Sequence, residues 1–495
     1  MGRSPPCRFH LGDPLRFDSL AVRIVDFPSG LRFGGLDSGA TMPRPMKEIT
    51  LKRSHLRGAL ALSFASALVV TAVPAYAASA PSYEPVEEGH LGSVGIDESL
   101  PDGTTPVASD TIKSLAEGTL DIDTNLAITD VVMADRDRAI NTVTWDQGTD
   151  TVHFWAYGDS AALEKQIGQA LPADQAWAVN ESVRPIAELE QTIMAIAENP
   201  AALPKGMAFV SGTPAEDGSS ITIGVETEGG ATLRSTALPK QIEGVDVQFV
   251  EDEYATLSAR SRSSAPLISG GQTWKSTGPG TCTQGFPVFR LQDSAQNSLT
   301  ADHCTDAGNE SWTWGGGSIS IGKSTWQAPG DTDLELYTEA GTLSAWMLVG
   351  SHTDSSTVAP IRGYLSPVGG NSVCYNGSRS GIVCSNPVDN ADTYSCVSGG
   401  FLQCYWTRWS TQSSGIPAAG NGDSGGPVAV FGIRESDQSV GAYGIGVISM
   451  ISGAGTSCTG DPSTSTRKCS ANAGFAPLHR WASAQSTHSL VYTTS

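Results

Sequence analysis

Residues 78–267 contain no cysteine and few basic side chains. This acidic segment has ten Lys and Arg against thirty-one Asp and Glu, a net charge of −21, whereas residues 268–495 carry −5 and residues 1–77 carry +5. Such an excess of acidic residues argues against nucleic acid or an anionic membrane as the partner. The change in charge marks a boundary within a chain of 495 residues, a length that suits two or three folding units.

The sequence also lacks the spacings that are typical of cofactor sites. It has no C-x-x-C pair, no Walker loop and no dinucleotide fingerprint, so it predicts no cofactor and no metal. The glycines from Trp314 to Ser318 are predicted to form a β-turn and not a phosphate cradle. Cysteines other than Cys7 are confined to the last 214 residues, and their even number indicates disulfides and an oxidising compartment. They are Cys282, Cys304, Cys374, Cys384, Cys396, Cys404, Cys458 and Cys469.

The apolar run from Ala59 to Val73 is too short to cross a membrane. As a helix it would span about 22 Å, against roughly 30 Å of hydrocarbon core. The run follows a basic stretch that begins at Met46, and it precedes Ala75-Tyr76-Ala77, a small-x-small cleavage pattern. The sequence therefore predicts a cleaved secretory signal at residues 46–77, and thus a secreted, extracellular protein with no membrane anchor. A buried helix is the alternative interpretation of the same run.

Residues 1–45 precede this signal and carry Pro, Gly and Arg without periodicity. A secretory signal is expected at the start of a chain, and not behind another segment. These residues are therefore predicted to be untranslated or disordered, with translation starting at Met42 or Met46.

Hydrophobic periodicity in the acidic segment, residues 78–267, predicts an α+β unit. After a Pro- and Ser-rich linker, apolar residues step by three and four towards Pro200, as on a half-buried helix. Further along, apolar residues alternate, which indicates strands with one buried face. The helical positions are Ile186, Leu189, Ile193 and Ile196, and the strand positions are Ile221, Ile223, Val225, Val245, Val247 and Phe249. No cluster in this segment indicates chemistry, and His153 is interpreted as a structural residue.

The end of the acidic segment is rich in Ser and Ala around Arg260 and Arg262. Such a stretch is typical of an exposed joint that proteases cleave. We therefore predict that residues 78–267 are a pro-region, removed from a domain at residues 268–495.

The run "NGDSGGPV" from Asn421 places Ser424 among glycines. A serine hydroxyl becomes a good nucleophile only when a base takes its proton and a third group orients that base. Among the histidines of the C-terminal part, His303 is favoured because it ends a short apolar run beside a cysteine; the others are His352, His479 and His488. Asp333 precedes leucines at strand spacing, as a buried orienting carboxylate requires, whereas Asp331 is interpreted as a solvated turn residue.

Six motifs occur in order over residues 268–495: "ISGG", "CTQGFPV", "LTADHC", "TDLELY", "VCYNGSRSGIVC" and "NGDSGGPV". Together they resemble the chymotrypsin-fold serine proteases, in particular the secreted bacterial streptogrisin group. The resemblance implies an all-β, trypsin-like domain of two antiparallel six-stranded β-barrels, preceded here by the α+β pro-region. The order of His, Asp and Ser also excludes the subtilisin and α/β-hydrolase arrangements.

The resemblance implies a serine endopeptidase that works through an acyl-enzyme. In that family's scheme, Ser424 is the nucleophile, His303 the base and Asp333 the group that orients it. The backbone N–H groups of Gly422 and Ser424 would form the oxyanion hole, where glycine permits a close approach of the main chain. The alternatives are a protease-fold binding protein that has lost turnover, and an esterase side activity.

Three positions depart from the pattern of the relatives. Asp302 stands before His303 where the relatives usually have alanine or glycine, and we expect its side chain to point to solvent. Tyr375 stands where streptogrisin-like enzymes commonly have an arginine that pairs with the aspartate before the nucleophile. Asp423 must then find another donor, for which Arg379 is the candidate. The relatives' cysteine shortly before the Gly-Asp-Ser-Gly-Gly run is also missing.

The resemblance supports disulfides Cys282–Cys304 and Cys374–Cys384, and proximity along the chain suggests Cys396–Cys404 and Cys458–Cys469. The same resemblance, by counting back from the nucleophile, places Ala418 at the base of the substrate pocket and Ser449, Met450 and Ile451 in its wall. A pocket without an acidic residue favours small or medium apolar side chains at P1, the residue before the cleaved bond. Expected partners are protein or peptide substrates and the chain's own pro-region, which in relatives assists folding and inhibits the enzyme. We expect a monomer.

Overall fold

The computed structural model describes residues 87–494, apart from gaps at 89, 97, 136–137, 228–232, 234–237, 253, 255–266, 276–280, 305–310, 315–318, 328–330, 339–342, 398–402 and 461–466. The predicted signal at residues 46–77, the preceding residues 1–45, and the glycine turn after Trp314 lie outside the described residues. So do Arg260 and Arg262 of the predicted joint.

The acidic segment contains helices and strands in alternation. Its strands are β1 Glu87–Glu88, β2 Val94–Ile96, β3 Thr105–Pro106, β4 Ile140–Asp146, β5 Thr151–Ala156, β6 Ala176–Glu181, β7 Met207–Pro214, β8 Ser220–Thr227, β9 Gln241–Ile242 and β10 Val245–Glu251. Its helices are α1 Ser109–Leu115, α2 Ile122–Ala134, α3 Ser160–Ala170 and α4 Ile186–Glu198, with short 3₁₀ turns at His90–Gly92 and Pro200–Ala202.

The periodic apolar residues of this segment lie where the sequence predicted. Helix α4 ends before Pro200, and the side chains of Leu189 and Ile193 are fully buried on its inner face. The three alternating residues of β8 that begin with Ile221 are fully buried too, and β10 pairs with β8 in parallel. The α+β prediction for this segment is confirmed, because its 3.6- and 2-residue periods match the elements that form.

The C-terminal part consists almost wholly of strands. In its first half these are β11 Leu267–Ser269, β12 Gln272–Lys275, β13 Thr281–Thr283, β14 Pro287–Arg290, β15 Ala295–Thr300, β16 Ser311–Trp314, β17 Ile319–Gln327, β18 Glu335–Thr338, β19 Leu343–Leu348 and β20 Thr357–Tyr364, with a 3₁₀ turn at Asp302–Cys304. In its second half they are β21 Ser372–Gly377, β22 Gly381–Val397, β23 Gln403–Thr411, β24 Ala419–Gly420, β25 Pro427–Arg434, β26 Ser439–Ser452, β27 Cys469–Ser470, β28 Asn472–Pro477, helix α5 Leu478–Ala484 and β29 His488–Thr493.

Six strands of the second half close into a barrel. Their antiparallel pairing runs β26–β25–β21–β22–β23–β28 and returns from β28 to β26. In the first half, the described strands pair in the order β14–β15–β18–β17–β16–β12–β13, and β29 is added beside β14. The predicted all-β domain of trypsin-like fold, following an α+β segment, is therefore confirmed.

The acidic segment is not separate from the all-β domain, because strands pair across the boundary. β7 lies antiparallel to β22, with Ser211 opposite Ser395, so that β7, β8 and β10 extend a sheet of the all-β domain. Ile193 of α4 and Trp406 of β23 belong to one apolar cluster. Burial of apolar surface across this contact is the main stabilising contribution to the docking of the two parts.

Charged side chains at the same contact are paired, and all of them except Arg138 are largely buried. Glu190 of α4 accepts hydrogen bonds from Arg138 at 2.9 Å and from Arg480 of α5 at 2.6 Å. Arg480 also contacts Asp392 of β22, which pairs with Arg408 at 2.6 Å. Burial would raise the pKa of Glu190 and Asp392, but the arginines lower the pKa of both carboxyls. The acidic segment therefore docks through charge pairing as well as through apolar contact.

Among the residues that the structure describes, no helix is both long and apolar enough to pass through a membrane.

Candidate active site

Ser424 lies in the turn that joins β24 to β25 of the closed barrel. Gly422 has a φ of 110° and Gly425 a φ of 83°, a region that side chains with a Cβ rarely adopt. A Cβ on Gly425 would also lie 2.3 Å from Thr300 Oγ1. Glycines are therefore required here because the turn packs directly against the first half of the domain.

His303 lies in the 3₁₀ turn that follows β15, and Asp333 lies just before β18. β15 and β18 are neighbours in the sheet, with Thr300 opposite Glu335, so the two loops leave the same sheet edge. The disulfide Cys282–Cys304 holds the residue after His303. The first half of the domain thereby presents both side chains to the turn that carries Ser424.

The structure brings the three side chains into one hydrogen-bonded series. His303 Nδ1 lies 2.6 Å from Asp333 Oδ2, and His303 Nε2 lies 2.9 Å from Ser424 Oγ. The His303 backbone N–H donates to Asp333 Oδ1 at 3.0 Å, which fixes the carboxylate relative to the imidazole. These distances suit transfer of the serine proton to Nε2.

Asp333 is fully buried. The hydroxyl of Ser449 on β26 donates to the same Oδ2 atom that contacts His303. Burial alone would raise the pKa of the Asp333 carboxyl, but the charge of His303 and the hydrogen bonds from His303 and Ser449 lower it. Asp333 therefore remains a carboxylate, and Ser449, which the sequence assigned to the pocket wall, has its hydroxyl against this carboxylate.

Two N–H groups in the serine turn have no acceptor among the described residues, those of Gly422 and Ser424. The carbonyl of Asn421 accepts from Arg467 Nε at 3.3 Å, and the carbonyl of Asp423 accepts from the Gly426 N–H at 2.8 Å. A trans peptide unit is planar with its C=O and N–H opposed. Holding these two carbonyls therefore fixes the orientation of the N–H groups of Gly422 and Ser424, which point opposite to them.

Asp423 is paired with Arg467 and not with the side chain of Arg379, which corrects the sequence prediction. Arg467 Nη2 lies 3.1 Å from Asp423 Oδ2, and both side chains are fully buried. Arg379 contributes its backbone N–H at 3.0 Å, and Ser380 contributes both its N–H and its hydroxyl. The sequence analysis did not name Arg467, because it lies outside the six motifs that carry the resemblance.

Asp302 is buried and not exposed to solvent, which corrects a second prediction. Its Oδ2 atom accepts a hydrogen bond of 3.0 Å from the phenol of Tyr405 on β23. Burial and the nearby carboxylates of Asp333 and Asp302 raise the pKa of Tyr405, so its hydroxyl stays protonated and donates. Sequence analysis missed Tyr405 because no local pattern joins it to a residue 103 positions earlier.

The predicted pocket residues are all buried in the barrel. Ala418 and Ile451 belong to one apolar cluster with Phe475 of β28. Met450 packs with Tyr405 in another cluster. The side chains of Ala418, Met450 and Ile451 place apolar surface on the strands beside the serine turn, and none of these three carries charge.

The eight cysteines of the domain form four disulfides, the same pairs that the sequence analysis names. They are Cys282–Cys304, Cys374–Cys384, Cys396–Cys404 and Cys458–Cys469. Cys374–Cys384 closes the loop that carries Ser380, and Cys458–Cys469 closes the loop that carries Arg467. The donors that hold the Asp423 carboxylate thus come largely from two cross-linked loops.

The remaining histidines of the domain lie away from Ser424. His479 of α5 lies 3.7 Å from Asp392, and burial lowers its pKa to about 4. His488 begins β29, and His352 lies in a turn before β20. The described part of the chain holds no group of three or more His, Cys, Asp or Glu side chains that could hold a metal ion.

No family model matches the chain, and no curated protein matches it. Three solved structures illustrate what it is similar to. A glutamic acid-specific serine protease that uses a histidine triad in substrate binding is 19% identical over 43% of this chain and 94% of its own, with a TM-score of 0.31. Nocardiopsis protease is 19% identical over 46% of this chain and 98% of its own, with a TM-score of 0.32. Thermobifida fusca protease A is 21% identical over the same shares, with a TM-score of 0.32. At these TM-scores the likeness carries no argument, and the fold rests on the strand pairing described above.

Proposed function

We propose that this protein is a serine endopeptidase. The main support is the contact of His303 Nε2 with Ser424 Oγ at 2.9 Å. In a first step His303 takes the proton of Ser424 while Oγ attacks the scissile carbonyl carbon. The tetrahedral intermediate then expels the amine, which receives that proton from His303, and an acyl-enzyme remains. Water, deprotonated by His303, attacks the ester, and the acid product leaves as Ser424 recovers its proton.

Two groups stabilise charge in this scheme. Asp333, a buried carboxylate 2.6 Å from His303 Nδ1, keeps the proton on Nδ1 and stabilises the imidazolium that forms. The N–H groups of Gly422 and Ser424 supply the oxyanion hole, and the lack of an acceptor for either group among the described residues supports this role. Losing one donor of such a hole typically costs about 3–4 kcal/mol of transition-state stabilisation.

Covalent labelling by a fluorophosphonate tests the proposal directly. The wild-type protein should lose peptidase activity as one label attaches to Ser424, and Ser424→Ala should neither label nor cleave peptides. His303→Ala should label at a rate lowered by several orders of magnitude, because the base is missing. A protein that folds but does not label at Ser424 would contradict the proposal.

The alternative, a protease-fold protein that binds without turnover, requires that His303 lose its contact with Ser424 or Asp333, or that the oxyanion hole be blocked. The described geometry favours turnover, because His303 reaches both neighbours within 3 Å. An esterase side activity would share the chemistry, so hydrolysis of peptide and ester substrates should be compared in the same preparation. Peptide turnover per labelled Ser424 separates an endopeptidase from an esterase.

We also propose that the enzyme is made as a secreted precursor, with a signal at residues 46–77 and a pro-region at residues 78–267. The pairing of β7 with β22 and of Glu190 with Arg480 supports a pro-region that docks on the all-β domain before its release. N-terminal sequencing of the extracellular product would test both cleavage sites. Retention of the acidic segment in the active product would contradict removal.

The docked segment is proposed to assist folding and to inhibit the enzyme. A β-barrel whose strands are far apart in sequence is expected to fold slowly without help, because non-local contacts cost loop entropy before they form. Residues 268–495 should therefore refold to full activity only when residues 78–267 are added. Equal yields with and without the segment would contradict the folding role.

For specificity, we propose small or medium apolar P1 residues. The buried, uncharged side chains of Ala418, Met450 and Ile451 support an apolar pocket. Cleavage profiling of a peptide library measures the preference, and a dominant Arg, Lys or Glu preference would contradict it. The monomer remains a proposal, which light scattering of the processed protein tests.

A further inference from the structure

Tyr405 links the closed barrel to the residue beside His303. Its phenol donates to Asp302 at 3.0 Å, and Asp302 precedes His303 in the same 3₁₀ turn. Both side chains are buried, with exposed fractions of 7% for Tyr405 and 4% for Asp302. A hydrogen bond to a buried carboxylate is among the stronger polar contacts in proteins, so this one restrains the turn that carries His303.

The neighbouring residue of β23 restrains the Asp333 loop in the same way. The backbone N–H of Trp406 donates to the carbonyl of Asp331 at 2.8 Å. Asp331 lies two residues before Asp333, and its φ of 52° shows that the chain turns sharply there. Two consecutive residues of one strand thus hold both loops that present the proton-transfer groups to Ser424.

Strand β23, which carries Tyr405 and Trp406, is held in place on both sides. β23 pairs with β22 on one side and with β28 on the other, and the disulfide Cys396–Cys404 joins it to β22 beside Tyr405. Tyr405 lies opposite Ser395 on β22, and Ser395 lies opposite Ser211 on β7 of the acidic segment. Tyr405 therefore sits in a rigid frame, as a group that positions another must.

We propose that Tyr405 is a positioning residue for His303, acting through its hydrogen bond to Asp302. The inference rests on the proposed serine peptidase function. In this role Tyr405 does not touch substrate and takes part in no proton transfer. It holds the imidazole within reach of Ser424, where a misplacement of about 1 Å costs on the order of 100-fold in rate.

The test compares Tyr405→Phe with the wild type, using active enzyme from expression of the full chain. Active sites are counted by fluorophosphonate labelling, so kcat refers only to folded molecules. We expect Tyr405→Phe to lower kcat by roughly 10- to 100-fold while KM stays within about twofold, because orientation and not substrate contact is lost. Unchanged kcat per labelled site would overturn the proposal, even if less protein folds.

A double-mutant cycle that combines Tyr405→Phe with Asp302→Ala tests whether Tyr405 acts on His303 through Asp302. If Tyr405 acts through Asp302, each single variant lowers kcat and the double variant is no worse than the poorer single one. Independent losses that multiply would overturn the proposal. The matched control is Tyr375→Phe, which removes a buried phenol bonded to the Ala473 carbonyl at 2.7 Å in the same barrel. This control should lower stability and leave kcat per labelled site unchanged.

The outcomes also separate the inference from the proposed function. A wild-type protein that neither labels at Ser424 nor cleaves peptides would refute the peptidase itself. A wild-type protein that does both, beside a Tyr405→Phe variant of equal kcat, would refute only the positioning role.

Discussion

Two buried carboxylates, Asp333 beside the turn that carries Ser424 and Asp423 within that turn, have surroundings that are alike in most respects. Both side chains are fully buried. Each accepts a hydrogen bond from a serine hydroxyl, Ser449 for Asp333 and Ser380 for Asp423. Each also accepts from backbone N–H groups, so neither carboxylate depends on a single donor.

The two carboxylates differ in their cationic partner. Asp333 faces the imidazole of His303, whereas Asp423 faces the guanidinium of Arg467. An imidazole can take up and release a proton during a reaction, and a guanidinium does not. The first pair can therefore change its charge during a reaction, and the second cannot. In the proposed mechanism one carboxylate serves proton transfer, while the other holds the shape of the turn that carries Ser424.

Replacement of Asp333 by Asn should give the largest effect. The amide would donate to His303 and favour the wrong tautomer, so we expect kcat/KM to fall about 10⁴-fold with a far smaller change in stability. Peptide hydrolysis beside thermal unfolding measures the two effects. The control is Asp331→Asn, at an exposed position whose contact with Trp406 uses only the backbone. Equal losses in both variants would contradict the role of Asp333.

Replacement of Arg467 by Met should act mainly on stability. The buried Asp423 carboxylate would lose its cation, which typically costs about 3–5 kcal/mol of unfolding free energy. Chemical unfolding in the Ser424→Ala background, which cannot cleave itself, measures the loss. Arg379→Met is the control, because it leaves the backbone N–H of Arg379 on Asp423, and we expect a smaller loss than for Arg467→Met. A larger loss in the control would reverse the assignment.

A third buried carboxyl, that of Glu98, has a raised pKa, whereas the pKa of Asp333 is lowered. Burial raises the pKa of Glu98 to about 7, while the N–H of Ala345 at 2.7 Å partly offsets this. The folded protein then binds a proton that the unfolded chain releases, so stability is lost as pH rises from about 4.5 through 7. Between pH 4.5 and pH 8, the wild type should lose about 3 kcal/mol of unfolding free energy that the Glu98→Gln variant keeps. Urea unfolding at both pH values, in the Ser424→Ala background, measures this difference.

Glu190→Gln is the control, because its effect on stability should change with pH in the opposite direction. The arginines lower the pKa of Glu190, so its ionised form stabilises the fold at neutral pH and that contribution disappears in acid. Glu190→Gln should therefore be less stable than the wild type at pH 7, and the difference should shrink below pH 4. Parallel pH curves for the two variants would contradict the opposed pKa directions.

Removal of the Cys458–Cys469 disulfide should have the smallest effect. A cross-link between residues 11 positions apart contributes at most about 3 kcal/mol through the entropy of the unfolded chain. Because this loop carries Arg467, the loss in Cys458→Ser/Cys469→Ser should be less than additive with Arg467→Met. The control is Cys396→Ser/Cys404→Ser, which removes a cross-link between β22 and β23. Neither strand supplies a donor to Asp423 named above, so its loss should add to that of Arg467→Met.

Local patterns in the sequence were sufficient to predict helix α4 and the turn that carries Ser424. Helix α4 formed where Leu189 and Ile193 repeat at helical spacing, because a buried stripe is a property of the segment itself. The glycines around Ser424 indicated a turn that approaches other backbone closely, and the structure has such a turn. The catalytic roles of Ser424, His303 and Asp333 stay predictions that the labelling experiments test.

The predictions that failed concern buried polar side chains. Asp302 was expected to point to solvent, and Arg379, which lies within one of the six motifs, was named as the donor to Asp423. The actual partners, Tyr405 and Arg467, lie 103 and 44 residues away. Nothing in the local sequence records which distant donor will reach a buried carboxylate.

The sequence by itself determined the trypsin-like class of the C-terminal domain, the α+β character of the acidic segment and the cysteines that form four disulfides. The α+β character follows from periodicity, whereas the class of the C-terminal domain was implied by the family that its motifs resemble. The resemblance also implied two of the disulfides, and proximity along the chain suggested the other two. Only the tertiary structure decided that Arg467 neutralises Asp423, that Tyr405 holds Asp302, and that β7 docks on β22. The physical reason is that a buried charge or an open strand edge must be satisfied by whichever group the folded chain brings near, however distant that group is in sequence.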